Sequence, residues 1–106
     1  MFLDQYKNEK GLKIEELQEF DDHKIIHFVQ DSKARLRGFI AIHRGGETHP
    51  SFGATRLWPY VTTLEALRDA LKLSRLMSYK SALAGLRYGG AKGVIVATPT
   101  ALKKRT

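Results

Sequence analysis

Thr62-Thr63-Leu64-Glu65-Ala66-Leu67-Arg68-Asp69-Ala70-Leu71, followed further on by Gly89-Gly90-Ala91-Lys92-Gly93-Val94-Ile95-Val96-Ala97, is the part of the chain that decides the fold. Thr62 with Glu65 three residues later forms a capping box, which starts a helix. Leu64, Leu67, Ala70, Leu71, Ser74 and Met77 recur at helical spacing and make one apolar face. Glu65, Arg68, Asp69, Lys72 and Arg75 fall on the other. The pattern predicts a helix to about Leu83 that stops at Gly85. Val94–Ala97 is short and wholly apolar, as expected of a strand buried on both faces. Between the two, Gly89-Gly90-Ala91-Lys92-Gly93 reads as a loop that needs unusual backbone freedom.

Upstream, Lys24-Ile25-Ile26-His27-Phe28-Val29 is rich in β-branched and aromatic residues and reads as a strand. Asp31-Ser32 signals a turn. Leu36–His43 reads as a second strand, and the two are expected to form an antiparallel hairpin. Phe52–Leu57 is a third strand, ended by Trp58-Pro59-Tyr60. A short helix is expected around Ile14–Phe20. Thr98-Pro99 reads as an N-cap with proline at the first helical position, with little chain left for the helix it announces. The expected fold is α/β, a mixed sheet with an antiparallel hairpin and helices packed on it, cut short at its C-terminal end.

Composition narrows the function. The 106 residues are 42% hydrophobic and 27% charged, ordinary values for a globular domain. No apolar run is long enough to span a bilayer. Cys is absent, so a disulfide framework and a Cys-ligated zinc site are both excluded, and no metal is expected. Met1-Phe2-Leu3-Asp4 does not resemble a signal peptide, which makes the cytoplasm the default location. The net charge of +7 is unevenly distributed. All 11 acidic residues lie in 1–69, against 10 basic ones, while 70–106 carries 8 basic residues and no acid. A basic third can serve nucleic acid, a membrane surface, a small anionic substrate or simple solvation.

The glycine-rich stretch from Gly85 to Gly93 is not a P-loop. Its lysine is one residue too far from the first glycine. Gly93 stands where Ser or Thr would meet magnesium, and the order is helix to strand rather than strand to helix. Two lysines are more informative. Lys80 lies near the helix C-terminus, where a cation is also favoured by the macrodipole alone. Lys92 sits among glycines beside a core strand, where a substrate can approach closely, although a solvated turn lysine has the same sequence.

Three motifs in fixed order go further: Gly53-Ala54-Thr55-Arg56-Leu57-Trp58-Pro59-Tyr60, Met77-Ser78-Tyr79-Lys80-Ser81-Ala82 and Gly89-Gly90-Ala91-Lys92-Gly93. Arg56 precedes Lys80 by 24 residues and Lys80 precedes Lys92 by 12. Together they resemble the N-terminal domain of the glutamate/leucine/phenylalanine/valine dehydrogenases, most of all the leucine dehydrogenase branch, over roughly residues 20–99. The resemblance implies that residues 1–106 form a domain that binds the amino acid and makes the subunit interface. NAD would be bound by a separate C-terminal Rossmann domain absent from this chain. It implies that Lys80 pairs with the substrate α-carboxylate, that the backbone at Gly53 lines the site, and that Lys92 is the catalytic lysine for imine hydrolysis. Phe52 stands where glutamate-specific members carry a lysine, which implies an apolar L-amino acid of leucine or valine type, with Met77 as a second apolar wall. Phe52 turned into the core is the competing reading.

Three departures from the family pattern stand out. Ala54 replaces the second glycine before Thr-Arg, and Ser78 and Ser81 replace the usual Thr and Asn. The family's catalytic aspartate has no counterpart before Thr106, so the 106-residue chain alone is expected to be inactive. The partners implied are an amino acid or 2-oxo acid and further copies of the chain. Two alternatives remain open at this point. One is a stand-alone oligomerisation or ligand-sensing module of the same fold. The other is a nucleic-acid binder, disfavoured because only Tyr79 and Tyr88 are available for stacking after residue 70.

Overall fold

The computed structural model describes residues 13–45 and 51–97. Four strands, β1 (Ile25–Asp31), β2 (Leu36–Ile42), β3 (Ser51–Trp58) and β4 (Gly89–Val96), form one sheet, and α1 (Thr63–Leu83) packs across it. The sheet order is β1-β2-β4-β3. β1 and β2 form the expected antiparallel hairpin, β2 and β4 are antiparallel, and β3 and β4 are parallel, joined through α1. The mixed α/β sheet inferred from sequence is the one observed.

The hairpin turns where Asp31 Oδ1 accepts from the backbone N–H of Lys33 and Ala34 and where Arg35 takes a positive φ of 54°. The helix begins as the sequence specifies. Thr62 Oγ1 accepts from Glu65 N at 3.1 Å, and Glu65 Oε2 reaches back to Val61 N at 3.1 Å. It ends in a Schellman motif. Gly85, with φ 74°, donates to Ala82 O, and Leu86 N donates to Ser81 O at 2.9 Å.

The core lies between α1 and one face of the sheet. Ala66, Leu67, Ala70 and Leu71 meet Phe39, Ala41 and Val94, with Leu17 closing one end. The other face of the sheet has no covering element among the described residues. Val29, Leu36, Ile40, Thr55, Gly93 and Ile95 line a shallow apolar depression there of about 200 Å³.

Three expectations change. The helix expected around Ile14–Phe20 is a single 3-10 turn, Ile14–Glu16, because Lys13 supplies no side-chain cap and Leu17 returns to extended backbone. Val94–Ala97 is not buried on both faces. Val94 is 1% exposed against α1, whereas Ile95 on the opposite face is only partly buried. Most important, Gly89–Gly93 is not a loop but the first half of β4. None of its glycines has a positive φ. At Gly89 and Gly90 the reason for glycine is that neighbours leave no room for a side chain. A Cβ on Gly90 would lie 2.0 Å from Ser74 O, and one on Gly89 would lie 1.7 Å from Arg44 O. The Thr98-Pro99 cap lies outside the described residues.

Candidate functional site

The sheet register fixes where the candidate residues stand. Across the parallel pair, Phe52 is opposite Gly90, Gly53 opposite Ala91 and Ala54 opposite Lys92. On the other side of β4, Ala41 is opposite Lys92. Side chains alternate along a strand, so Lys92 shares the α1-facing side with Gly90 and Val94. Its lateral neighbours are the alanines Ala41 and Ala54. Lys92 is half-buried, and no hydrogen bond or ion pair holds its ammonium among the described residues.

α1 lies mainly over β4 and β2, and leaves the inner side of β3 open enough that Ala54 and Trp58 are exposed. One ion pair identifies which flank of α1 faces β3: Arg56 Nη1 lies 3.3 Å from Asp69 Oδ2. Tyr60 Oη also donates to Asp69, and Arg56 stacks over Trp58 at 4.5 Å. Lys80 follows Asp69 by about three turns, so it returns to the same flank about 16 Å further along. Met77 lies between that flank and the buried face. Ser78, which accepts from Gly90 N, comes late in the helix, so α1 runs toward the start of β3 and β4. On β3, Phe52 precedes Arg56 by about 13 Å of strand and Ala54 by about 7 Å. Beside the cleft between α1 and β3, Phe52, Gly53 and Lys92 thus stand close together across the β3–β4 pair, while Met77 and Lys80 lie in the last two turns of α1, which run toward the same end of the sheet. Lys80 is exposed, Met77 is half-buried, and the Phe52 side chain lies outside the described residues. Gly53 is required sterically, since a Cβ there would stand 1.9 Å from Ala91 O.

A buried polar cluster beneath this cleft was not singled out from sequence. His43 is 2% exposed. Its Nδ1 lies 2.8 Å from Ser78 Oγ and its Nε2 2.8 Å from Asp21 Oδ2. Ser78 Oγ also accepts from Gly90 N at 2.7 Å, and His43 N donates to Gly90 O at 2.8 Å. Asp21 gathers three more groups. Arg44 Nη2 and Arg75 Nε are 3.6 and 3.7 Å away, and Tyr79 Oη donates at 3.4 Å. The His43 hydrogen bond is the main reason the Asp21 carboxyl sits below the usual carboxylate range. Next to it, His23 Nε2 donates to Leu71 O at 2.8 Å while Nδ1 accepts from Asp21 N, and burial pushes the His23 imidazole down from its ordinary value. The readable signal was alternation. Phe39, Ala41 and His43 are successive inward positions, and a histidine there must find polar partners.

The described residues do not fit a dinucleotide. The one strand-to-helix junction among them, Pro59–Thr62, carries no glycine to let a pyrophosphate approach the backbone. Nor, among them, is any helix long and apolar enough to cross a membrane.

Residues 23–106 match the family model of the Glu/Leu/Phe/Val dehydrogenase dimerisation domain. The chain is 46% identical over 81 residues to a valine dehydrogenase of Streptomyces virginiae, covering 76% of this chain and 22% of that protein. It is 46% identical over 78 residues to a leucine dehydrogenase of Geobacillus stearothermophilus, covering 74% of this chain and 21% of that one. Among solved structures, L-tryptophan dehydrogenase from Nostoc punctiforme superposes with a TM-score of 0.65 at 42% identity, over 74% of this chain and 23% of the other. The chain thus spans about a fifth of the length of these relatives.

Proposed function

The chain belongs to the Glu/Leu/Phe/Val dehydrogenases through their dimerisation domain, and on that footing we propose that residues 1–106 are the substrate-binding and dimerisation domain of an NAD-dependent oxidoreductase. That enzyme oxidatively deaminates an apolar L-amino acid, of leucine or valine type, to a 2-oxo acid and ammonia. The NAD of that reaction is held by a separate Rossmann domain. The domain assembles at least to a homodimer.

The observation that carries this reading is the setting of Lys92. The Lys92 side chain is partly buried on the α1-facing side of the sheet, and no hydrogen bond or ion pair from the described residues occupies its nitrogen, which leaves that nitrogen to a ligand. Its flanking alanines leave room for that ligand, and the cleft opens toward Lys80. In the proposed mechanism the Lys80 ammonium holds the substrate α-carboxylate, which fixes the Cα beside Lys92. With hydride taken from Cα, the chemistry that bound NAD would supply, Lys92 in its neutral amine form accepts a proton from water as the water oxygen bonds to the iminium carbon. It returns that proton to nitrogen, then takes up the hydroxyl proton as the C–N bond breaks, the C=O bond forms and ammonia leaves. The alkyl side chain lies toward Phe52 and Met77.

The relatives named for valine, leucine and tryptophan support an apolar side-chain pocket. Phe52 supports the same choice. A second substrate carboxylate beside a phenyl ring would lack a counter-charge, and burying it unpaired costs several kcal/mol. The test is a comparison of kcat/KM for leucine, valine and glutamate with the enzyme that carries this domain. Leucine or valine is expected to exceed glutamate, and Phe52→Lys to move the preference toward glutamate. A higher value for glutamate in the wild type overturns the assignment.

A further inference from the structure

We infer that Ser78 and His43 are positioning residues that set the spacing between the helix carrying Lys80 and the strand carrying Lys92; the inference rests on the functional reading above. Ser78 faces the sheet, about half a helical turn round from Lys80. Its single hydroxyl touches both sides of the cleft's floor. It accepts from Gly90 N at 2.7 Å, two residues before Lys92, and meets His43 Nδ1 at 2.8 Å. His43 closes the arrangement from a third element, donating its backbone N–H to Gly90 O at 2.8 Å. Gly90 is thereby held at both its polar groups.

The ring of His43 is itself oriented. A carboxylate accepts only, so Nε2 carries the proton donated to Asp21 Oδ2 at 2.8 Å. In the neutral ring this leaves Nδ1 to accept from the Ser78 hydroxyl. Hydrogen bonds then run from Gly90 to Ser78 to His43 to Asp21, with every member satisfied. The order of groups is that of a nucleophile relay, but the chemistry is not. Ser78 is 8% exposed and its oxygen already accepts from Gly90, so it is not presented to a substrate.

The spacing is tight enough to matter. A Cβ on Gly90 would meet Ser74 O at 2.0 Å and Ser78 N at 2.4 Å, so strand and helix are in backbone contact here. Without the hydroxyl, Gly90 N and His43 Nδ1 lose their partner in a buried place, and relief requires α1 and β4 to separate. Lys80 and Lys92 move apart with them, and displacements of about 1 Å in a catalytic constellation cost up to about 100-fold in rate.

The experiment compares Ser78→Ala, Ser78→Thr and Ser74→Ala in the enzyme that carries this domain. Ser74 serves as the control. It is fully buried on the same helix face, but its hydroxyl donates to Leu71 O at 3.0 Å within α1. Ser78→Ala is expected to lower kcat at saturating amino acid by about 10- to 100-fold. It should also speed amide exchange at Gly90. Ser78→Thr, which keeps the hydroxyl, should restore kcat, and Ser74→Ala should leave it unchanged even where it lowers Tm. An active wild type with an equally active Ser78→Ala variant overturns this inference and leaves the functional reading standing. So does equal loss in Ser78→Thr or in Ser74→Ala. A wild type with no amino-acid-dependent turnover overturns the functional reading and this inference with it.

Discussion

Ala54 stands directly opposite Lys92 across the parallel β3–β4 pair, on the side of the sheet that faces α1. Its methyl group therefore borders the lysine at the floor of the cleft. The resemblance gives the family a glycine at this position, so Ala54 narrows the space where the substrate side chain would lie. Ala54→Gly is expected to raise kcat/KM for leucine relative to valine, by up to about tenfold, the lower end of what one methylene is worth in a pocket. Ala54→Val should depress turnover of both. An unchanged leucine-to-valine ratio in Ala54→Gly would place the side-chain pocket elsewhere.

The glycines of β4 differ in what they tolerate. Gly90 faces α1, where a Cβ meets backbone at 2.0 Å, while Gly93 faces the uncovered side, where its Cβ meets only the Thr55 side chain at 3.1 Å. Gly90→Ala is expected to lower stability by about 1–3 kcal/mol, the usual cost of overpacking, and Gly93→Ala by clearly less. Urea midpoints of the two variants check the order. Equal midpoints would mean that β4 does not press on the helix as described.

This contrast also explains what the sequence hides. The helix and the hairpin were legible because their signals are local: Thr62 with Glu65, Gly85 at the stop, and Asp31 at the turn. The first half of β4 was not. A run of glycines carries the same letters whether it supplies freedom or close approach, and here the demand comes from Ser74 and Arg44, which are distant in sequence. Lys80 and Lys92 stood out by spacing within motifs. His43 did not, because its partners Asp21 and Ser78 lie 22 and 35 residues away. Only its place after Phe39 and Ala41 hinted that it was buried.

His23 gives the fold a pH dependence of definite sign. Burial lowers its folded-state pKa from the ordinary 6.5. Below 6.5 the unfolded chain binds the proton more readily, so stability falls as pH drops from 6.5 toward the folded value. Protonation would also turn Nδ1, which accepts from Asp21 N, into a donor facing a donor. Asp21, itself depressed, acts in a separate window, where its stabilisation is lost as pH falls below its ordinary 3.8. His23→Gln is expected to lower stability at pH 7 but to flatten the slope just below pH 6.5. Denaturation midpoints measured across that range check it, and an unchanged slope contradicts it.

The division of labour between the two lysines is the central claim, and the kinetics of Lys92→Ala and Lys80→Ala in the enzyme carrying this domain test it most directly. Amino-acid-dependent reduction of NAD is followed with leucine or valine as substrate. Lys92→Ala is expected to lower kcat by about 10²–10⁴, the usual worth of a general acid–base, and Lys80→Ala mainly to raise KM. Lys92→Ala turning over within a few-fold of wild type, or Lys80→Ala changing kcat alone, would contradict the account.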